Sequence, residues 1–370
     1  MPTGLRALDL GTSCAQQHKV GKVKVLKVDA IREDFPPLQR YEWPPAYPCE
    51  TFSPELDAFL QLSAAEQRAQ LGAKRRDPER HGAFVNDALG AIYGYVYGYH
   101  DSPLYLRTDD TLEGLLLRAK VELERELLDF LRPEPAPDGL SLEEGCAYLR
   151  AFVAENPGVT HTLFDFLRDR AHRSAFKEFL RLEVMRNEVV DDEVAFLVIG
   201  LQGSMKKVAT SNLWDECGNG RLDRFHTYWL RRLLNHTMDW DGIRDYRKDS
   251  APWFSRITSN SFNRVLTRPG YKYQAYGHFL VTEGWVLPHF ERIVAGLRRT
   301  ELRDPDVEVY FTAHIKLDPH HTAEMLAGMQ NQQPGLGKHE VAEIIRGAHV
   351  AVAAGVKMFD RIEHHLARIA

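Results

Sequence analysis

Paired thiols are missing from this 370-residue sequence. Its four cysteines, Cys14, Cys49, Cys146 and Cys217, are scattered without a Cys-x-x-Cys pair. That spacing indicates neither a disulfide scaffold nor a thiolate metal site. Long apolar runs are missing too, since the longest, Val194 to Leu201, is far too short to span a bilayer. No basic segment followed by an apolar one stands at the N-terminus, so no secretory signal is read there. No sign of charge dominates: the formal charge of −5 is spread among interspersed residues and gives no case for nucleic acid or an anionic membrane as partner. Strand signals are sparse and there is no internal repeat. With 44% hydrophobic and 27% charged residues, the chain can bury one large core or two modest ones. A reduced, cytoplasmic protein is the expectation.

Proline and glycine are present where they divide the chain. Prolines at 36, 37, 44, 45 and 48 make residues 1 to about 53 an irregular extension. Helical periodicity follows over Pro54 to Lys74 and Gly82 to Tyr99. The tyrosines at 93, 95, 97 and 99 alternate as a strand would, but the Gly and Ala spacing fits a close-packed helix, and the rings are read as packing. Asp109 and Asp110 open Thr111 to Leu131. Arg132 to Gly139, with three prolines and a glycine, is the linker candidate. It separates an N-terminal extension over residues 1–140, irregular then helical, from a second region over 141–370. Ser141 and Glu144 then form a capping-box pattern ahead of a helix reaching Glu155. Further helical stretches are Thr160 to Asn187, Glu193 to Glu216, Leu222 to Met238, Tyr273 to Arg299, Val309 to Gln330 and Lys338 to Ile369. The fold class is all-α.

The chemistry-bearing motif is His314-Ile-Lys-Leu-Asp318-Pro-His-His321. Positions i, i+4 and i+7 share one helix face, so two imidazoles and a carboxylate converge. Nitrogen and oxygen ligands without thiolate suit iron, manganese or zinc better than copper(I) or an iron–sulfur cluster. Three ligands do not complete a site, and the chain offers more. Glu283 sits in the apolar segment Val281-Thr-Glu-Gly-Trp-Val-Leu-Pro, where a carboxylate is costly unless paired or metal-bound. Glu216 lies in Asn212-Leu-Trp-Asp-Glu-Cys-Gly-Asn-Gly, ten positions before His226. One unbroken helix would hold those two roughly 15 Å apart, too far for metal ions spaced about 4 Å. Gly218 and Gly220 allow the chain to turn between them. Glu183, among Phe176, Phe179, Leu180 and Met185, is an inward-pointing carboxylate candidate. Three histidines and four carboxylates on several helices follow the logic of helical di-iron and di-manganese carboxylate sites. The paired Glu-x-x-His motifs of the ferritin type are not among them.

These residues resemble the heme-oxygenase-like di-iron oxidases, also called iron-containing redox enzymes. The resemblance rests on Asn212 to Gly220 with His226, on Glu283, and on Tyr310 to His321, and it covers roughly residues 160 to 370. It implies a heme-oxygenase-like helical bundle preceded by an additional helical region. It also implies Glu216, His226, Glu283, His314, Asp318 and His321 as metal ligands, with Glu183 at the more variable carboxylate position. The implied cofactors are two iron ions with dioxygen as co-substrate, without heme. The implied reaction oxidises a small amine or amino-acid-like substrate, N-oxygenation leading, with desaturation or oxidative C–C cleavage as the alternative. An external reductant and a homodimer are expected by family habit. Residues 1 to about 140 lie outside the resemblance.

Blander readings stand beside this one. A helical protein that only binds a ligand or metal would have to carry many buried charges without chemistry to justify them. A zinc hydrolase needs three protein ligands and a water, fewer than the seven offered here. His320 points off the 314/318/321 face, and Lys206 and Lys207 belong to a solvated one. Glu188, Asp191, Asp192 and Glu193 read as a solvated turn between helices. Gly335 to His339 lacks the earlier glycine of a phosphate loop, and His339 stands where Ser or Thr would hold magnesium, so no nucleotide motif is present. Pro319, directly after Asp318, should weaken the helix that carries the motif, and metal binding is expected to help order it.

Overall fold

The computed structural model describes residues 52–98, 109–235 and 250–369, with single positions at 237, 242, 245 and 246. The irregular extension before residue 52, and Tyr99, lie outside the described residues. Among those described there are α-helices and short 3-10 turns and no strand, so the chain is all-α. The helices are α1 Pro54–Leu60, α2 Ala64–Lys74, α3 Pro78–Tyr97, α4 Asp110–Leu131, α5 Leu142–Glu155, α6 Thr162–Asp169 and α7 Arg173–Asn187. They continue with α8 Val190–Val198, α9 Gly203–Glu216, α10 His226–Asn235, α11 Ile257–Leu266, α12 Lys272–Arg299, α13 Pro305–Gln330 and α14 Lys338–Ala367. No described helix is long and apolar enough to cross a membrane.

Local chemistry sets the helix ends. Ser63 and Ser141 each accept from the third helical N–H while Glu66 and Glu144 reach back, two capping boxes that start α2 and α5. Asp109 and Asp304 cap α4 and α13 through their side chains. Where periodicity implied one helix, the structure often has two. The Ser63 capping box divides Pro54 to Lys74, and a break before Arg173 divides Thr160 to Asn187. The positive φ of Gly200 (81°) and Gly203 (55°) separates α8 from α9. Helix α11 has no counterpart among the sequence expectations. It is short, and its buried face includes Asn260, Ser261 and Asn263, so its polar residues broke the apolar rhythm.

The core is built around α12, which packs along α13 and α14. Glycines allow a close approach: a Cβ on Gly277 would lie 1.8 Å from the Ile344 carbonyl oxygen, and one on Gly347 1.9 Å from that of Gln274. Helices α3 and α4, which precede the proline-rich segment, pack on each other and against α11 and α14, which follow it. Side chains tie them down: Arg75 clamps Glu126 with two bonds of 2.8 Å, and Trp253 donates to Glu79. Tyr93 and Tyr95 are buried, and Tyr93 donates to Glu124.

Candidate metal centre

Four helices bring the site together: α9 contributes Glu216, α10 His226, α12 Glu283, and α13 His314, Asp318 and His321. All six side chains are buried. The Glu216–His226 pairing depends on a reversal between two helices. Helix α9 ends at Glu216, and residues 218–224 form two 3-10 turns before α10 begins on His226 itself. Gly218 and Gly220 hold φ values of 55° and 78°, and a Cβ on Gly218 would collide with the backbone of Arg224 at 2.5 Å. The result is a 2.5 Å approach of His226 Nδ1 to Glu216 Oε2. This approach is not aligned as a hydrogen bond: Glu216 Oε2 and both His226 nitrogens have no such partner although they are buried. The His314 ring lies beside His226, with centroids 4.2 Å apart.

Next to this group, Glu283, Asp318 and His321 offer one ligand atom each within 4.8 Å of one another. His321 Nδ1 faces Glu283 Oε2 at 3.0 Å and Asp318 Oδ1 at 3.5 Å. Its Nε2 faces Asp215 Oδ2 at 3.1 Å. On the same helix, His314 Nδ1–H donates to the Tyr310 carbonyl at 2.6 Å, which leaves Nε2 of a neutral ring with its lone pair free. Asp215 and Tyr310 were not singled out from the sequence. Their signals are adjacency to Glu216 and the i−4 relation to His314.

Burial dominates the electrostatics. It pushes Glu216 up to about 7 and lowers His226 to about 4 and His314 to about 3. Both imidazoles are therefore neutral and able to offer lone pairs. Burial, with Glu283 beside it, holds Asp318 well above the carboxylate range, and burial raises Glu283 as well. For His321 burial works the other way, but hydrogen bonds to Asp215 and Glu283 prevail and hold its pKa well above the ordinary value. Two buried carboxyls, Glu283 and Asp318, and the partly buried Asp215 thus face one imidazolium, a set that a divalent cation would balance. Neutral imidazole nitrogens, carboxylate oxygens and hydrogen-bond-orphaned atoms at Glu216 and His226 fit iron.

The seventh candidate is placed differently. Glu183 is buried on α7, but its Oε1 accepts from Arg186 at 2.7 Å and from Asn187 at 3.0 Å. His320, Lys206 and Lys207 are exposed. Beside the six clustered residues runs a cavity of about 100 Å³. Trp285, Phe290, Phe262 and Phe279 give it an apolar wall, and Arg186, Glu193, Ser259 and His278 a polar one. Glu193 corrects the reading of its acidic run as a solvated turn. It sits on α8, 5% exposed, with Asn263 donating to it at 2.6 Å. Its companions Val194 and Leu197 mark the inward face, the i, i+1, i+4 spacing that betrays a buried position.

Residues 177–356 match the family model described as iron-containing redox enzyme. Two crystal structures of a CADD-like protein of unknown function from Nostoc punctiforme are similar to this chain. One has a TM-score of 0.49 and 14% identity, covering 61% of this chain and 99% of the other. The second has a TM-score of 0.47 and 11% identity, covering 62% and 97%. No curated protein matches the chain.

Proposed function

We propose that this protein is a dioxygen-dependent non-heme di-iron oxygenase acting on a small amine or amino-acid-like substrate, with N-oxygenation as its reaction. The observation that carries the reading is the pair of adjoining triads. Glu216, His226 and His314 form one; Glu283, Asp318 and His321 form the other. Each triad would hold one iron, and bound iron would supply dioxygen binding and the redox change.

The chain's own contributions follow from the geometry. The Tyr310 carbonyl fixes the tautomer of His314, and Asp215 orients His321 through its outer nitrogen. The aromatic side chains of the cavity would limit water at the face where substrate meets the ligands. An external reductant completes the cycle in this reading.

The test is anaerobic Fe(II) loading of wild type and His314→Ala, followed by exposure to dioxygen with an optical trace. Close to two irons per chain and a transient absorbing species, both lost in the variant, are expected. No specific iron binding by the wild type would overturn the proposal. A screen of amines with product mass analysis then separates an oxygen added on nitrogen from loss of hydrogen, carbon dioxide or a fragment.

A further inference from the structure

The polar wall of the cavity contains a buried acid that the six clustered residues do not account for. Glu193 lines the cavity, and its Oε1 is satisfied by a neutral amide, Asn263 Nδ2, at 2.6 Å. Among the described residues it takes part in no ion pair. Arg186, the cation on the same wall, is committed to Glu183 at 2.7 Å. A second, independent feature also lines the cavity. His278 is 1% exposed, shares its Nε2 with Ser261 at 3.2 Å, and has no hydrogen-bond partner at Nδ1. Burial lowers its pKa to about 3, so the ring is neutral. In the tautomer whose Nε2–H donates to Ser261, Nδ1 would present a lone pair. The wall therefore offers a carboxylate and a neutral acceptor, with its one cation already neutralised.

We infer that this wall is a recognition site for a cationic nitrogen of the substrate, with Glu193 as its counter-charge and His278 as a neutral acceptor. The inference rests on the proposed function in taking the cavity as the substrate cavity. An ammonium group carries several N–H donors and no acceptor, so it matches a wall of acceptors, whereas a carboxylate would face Glu193 with like charge. A metal ion is the poorer occupant: among the described residues Glu193 belongs to no group of three or more ligand side chains, as Glu283 does. Burial, reinforced by Asp192 and Asp191 and offset by Asn263 and Arg186, pushes Glu193 up to about 8. A bound cation would restore its charge. The site selects amines over alcohols and acids of the same shape, and it holds the cationic end against Glu193 on α8.

The test is calorimetric binding of propyl-, butyl- and hexylammonium to the full-length protein at about pH 8.5, where Glu193 ionises. Butanol and butyrate serve as the neutral and anionic comparisons. Wild type should prefer the ammonium ions. Glu193→Gln should lose about 10-fold or more of ammonium affinity, as expected for a charge-assisted hydrogen bond, with butanol binding unchanged. Fe(II) stoichiometry is measured on both proteins. Equal iron loading with lost ammonium binding separates this site from the metal centre. Failure of iron loading in wild type alongside selective ammonium binding would sink the oxygenase reading and leave this one standing. Preference for butyrate, no binding of any ammonium ion, or equal ammonium affinity in Glu193→Gln would overturn the inference.

Discussion

At the scale of single residues, the clearest division of labour is on His321. One ring nitrogen faces two carboxylates and the other a third, so which one carries the proton decides what the centre can bind. On iron binding the imidazolium would lose its Nδ1 proton, and His321, with Nε2–H still donating to Asp215 at 3.1 Å, would then turn an Nδ1 lone pair toward the side of Glu283 and Asp318. A carboxylate behind a ligating imidazole fixes its orientation and raises its basicity. Asp215→Asn keeps the shape and removes the charge. Fe(II) affinity should fall about 10- to 100-fold, read by competition with a chelator, with helicity unchanged. Undiminished affinity would mean that Asp215 merely offsets charge. Asp215 was invisible in the sequence because its neighbour Glu216 already satisfied the ligand pattern. Its role depends on α13 reaching α9, a contact that no local spacing records.

At the scale of elements, two devices hold the ligand-bearing helices. The first is the glycine contact between α12 and α14. A methyl group on Gly347 would meet the Gln274 carbonyl at 1.9 Å, and backbone cannot yield as a flexible side chain does. Gly347→Ala should cost about 3 kcal/mol or more in urea unfolding, against a few tenths for Ala at Gly270, where nothing lies in the way. The second device is a weakness. Helix α13 runs unbroken through Pro319, but proline has no N–H to give the Ile315 carbonyl. Hydrogen exchange over residues 312–325 should therefore slow on anaerobic iron loading, because ligation at His314, Asp318 and His321 spans the weak turn. Exchange indifferent to iron would dissociate metal binding from helix order. The helices themselves were legible where apolar rhythm was strong, as in α4, α12 and α14. The breaks were less so, because a single capping serine or a glycine at positive φ outweighs periodicity on either side. The turn between Glu216 and His226 was legible from its two glycines. Glu183 shows the opposite case: its inward orientation was readable, but its commitment to Arg186 and Asn187 was not, since three- and four-residue spacing on a helix fits many partners.

At the scale of the whole molecule, the interior holds titratable groups whose opposed pH dependences act on one folding equilibrium. His278 takes up its proton near pH 3 when folded and near 6.5 when unfolded. Between those values the unfolded chain binds more protons, so this residue removes stability as pH falls through the window. Glu193 acts in the reverse sense. Its folded pKa of about 8 lies above the ordinary 4.5, so the folded state keeps a proton that the unfolded state has lost. Its contribution is fully present below 4.5 and is lost as pH rises toward 8. Each group alone has a limiting slope of about 1.4 kcal/mol per pH unit, and where the windows overlap they oppose each other. Removing one should expose the other. In chelator-treated protein, His278→Gln should lose less stability than wild type between pH 6.5 and 4.5. Glu193→Gln should lose more over the same span. The two variants' unfolding free energies, plotted as differences from wild type, should diverge with opposite slopes. Parallel lines would show that neither group is held away from its ordinary value, and that the polar wall of the cavity is open to water rather than sealed by the helices around it.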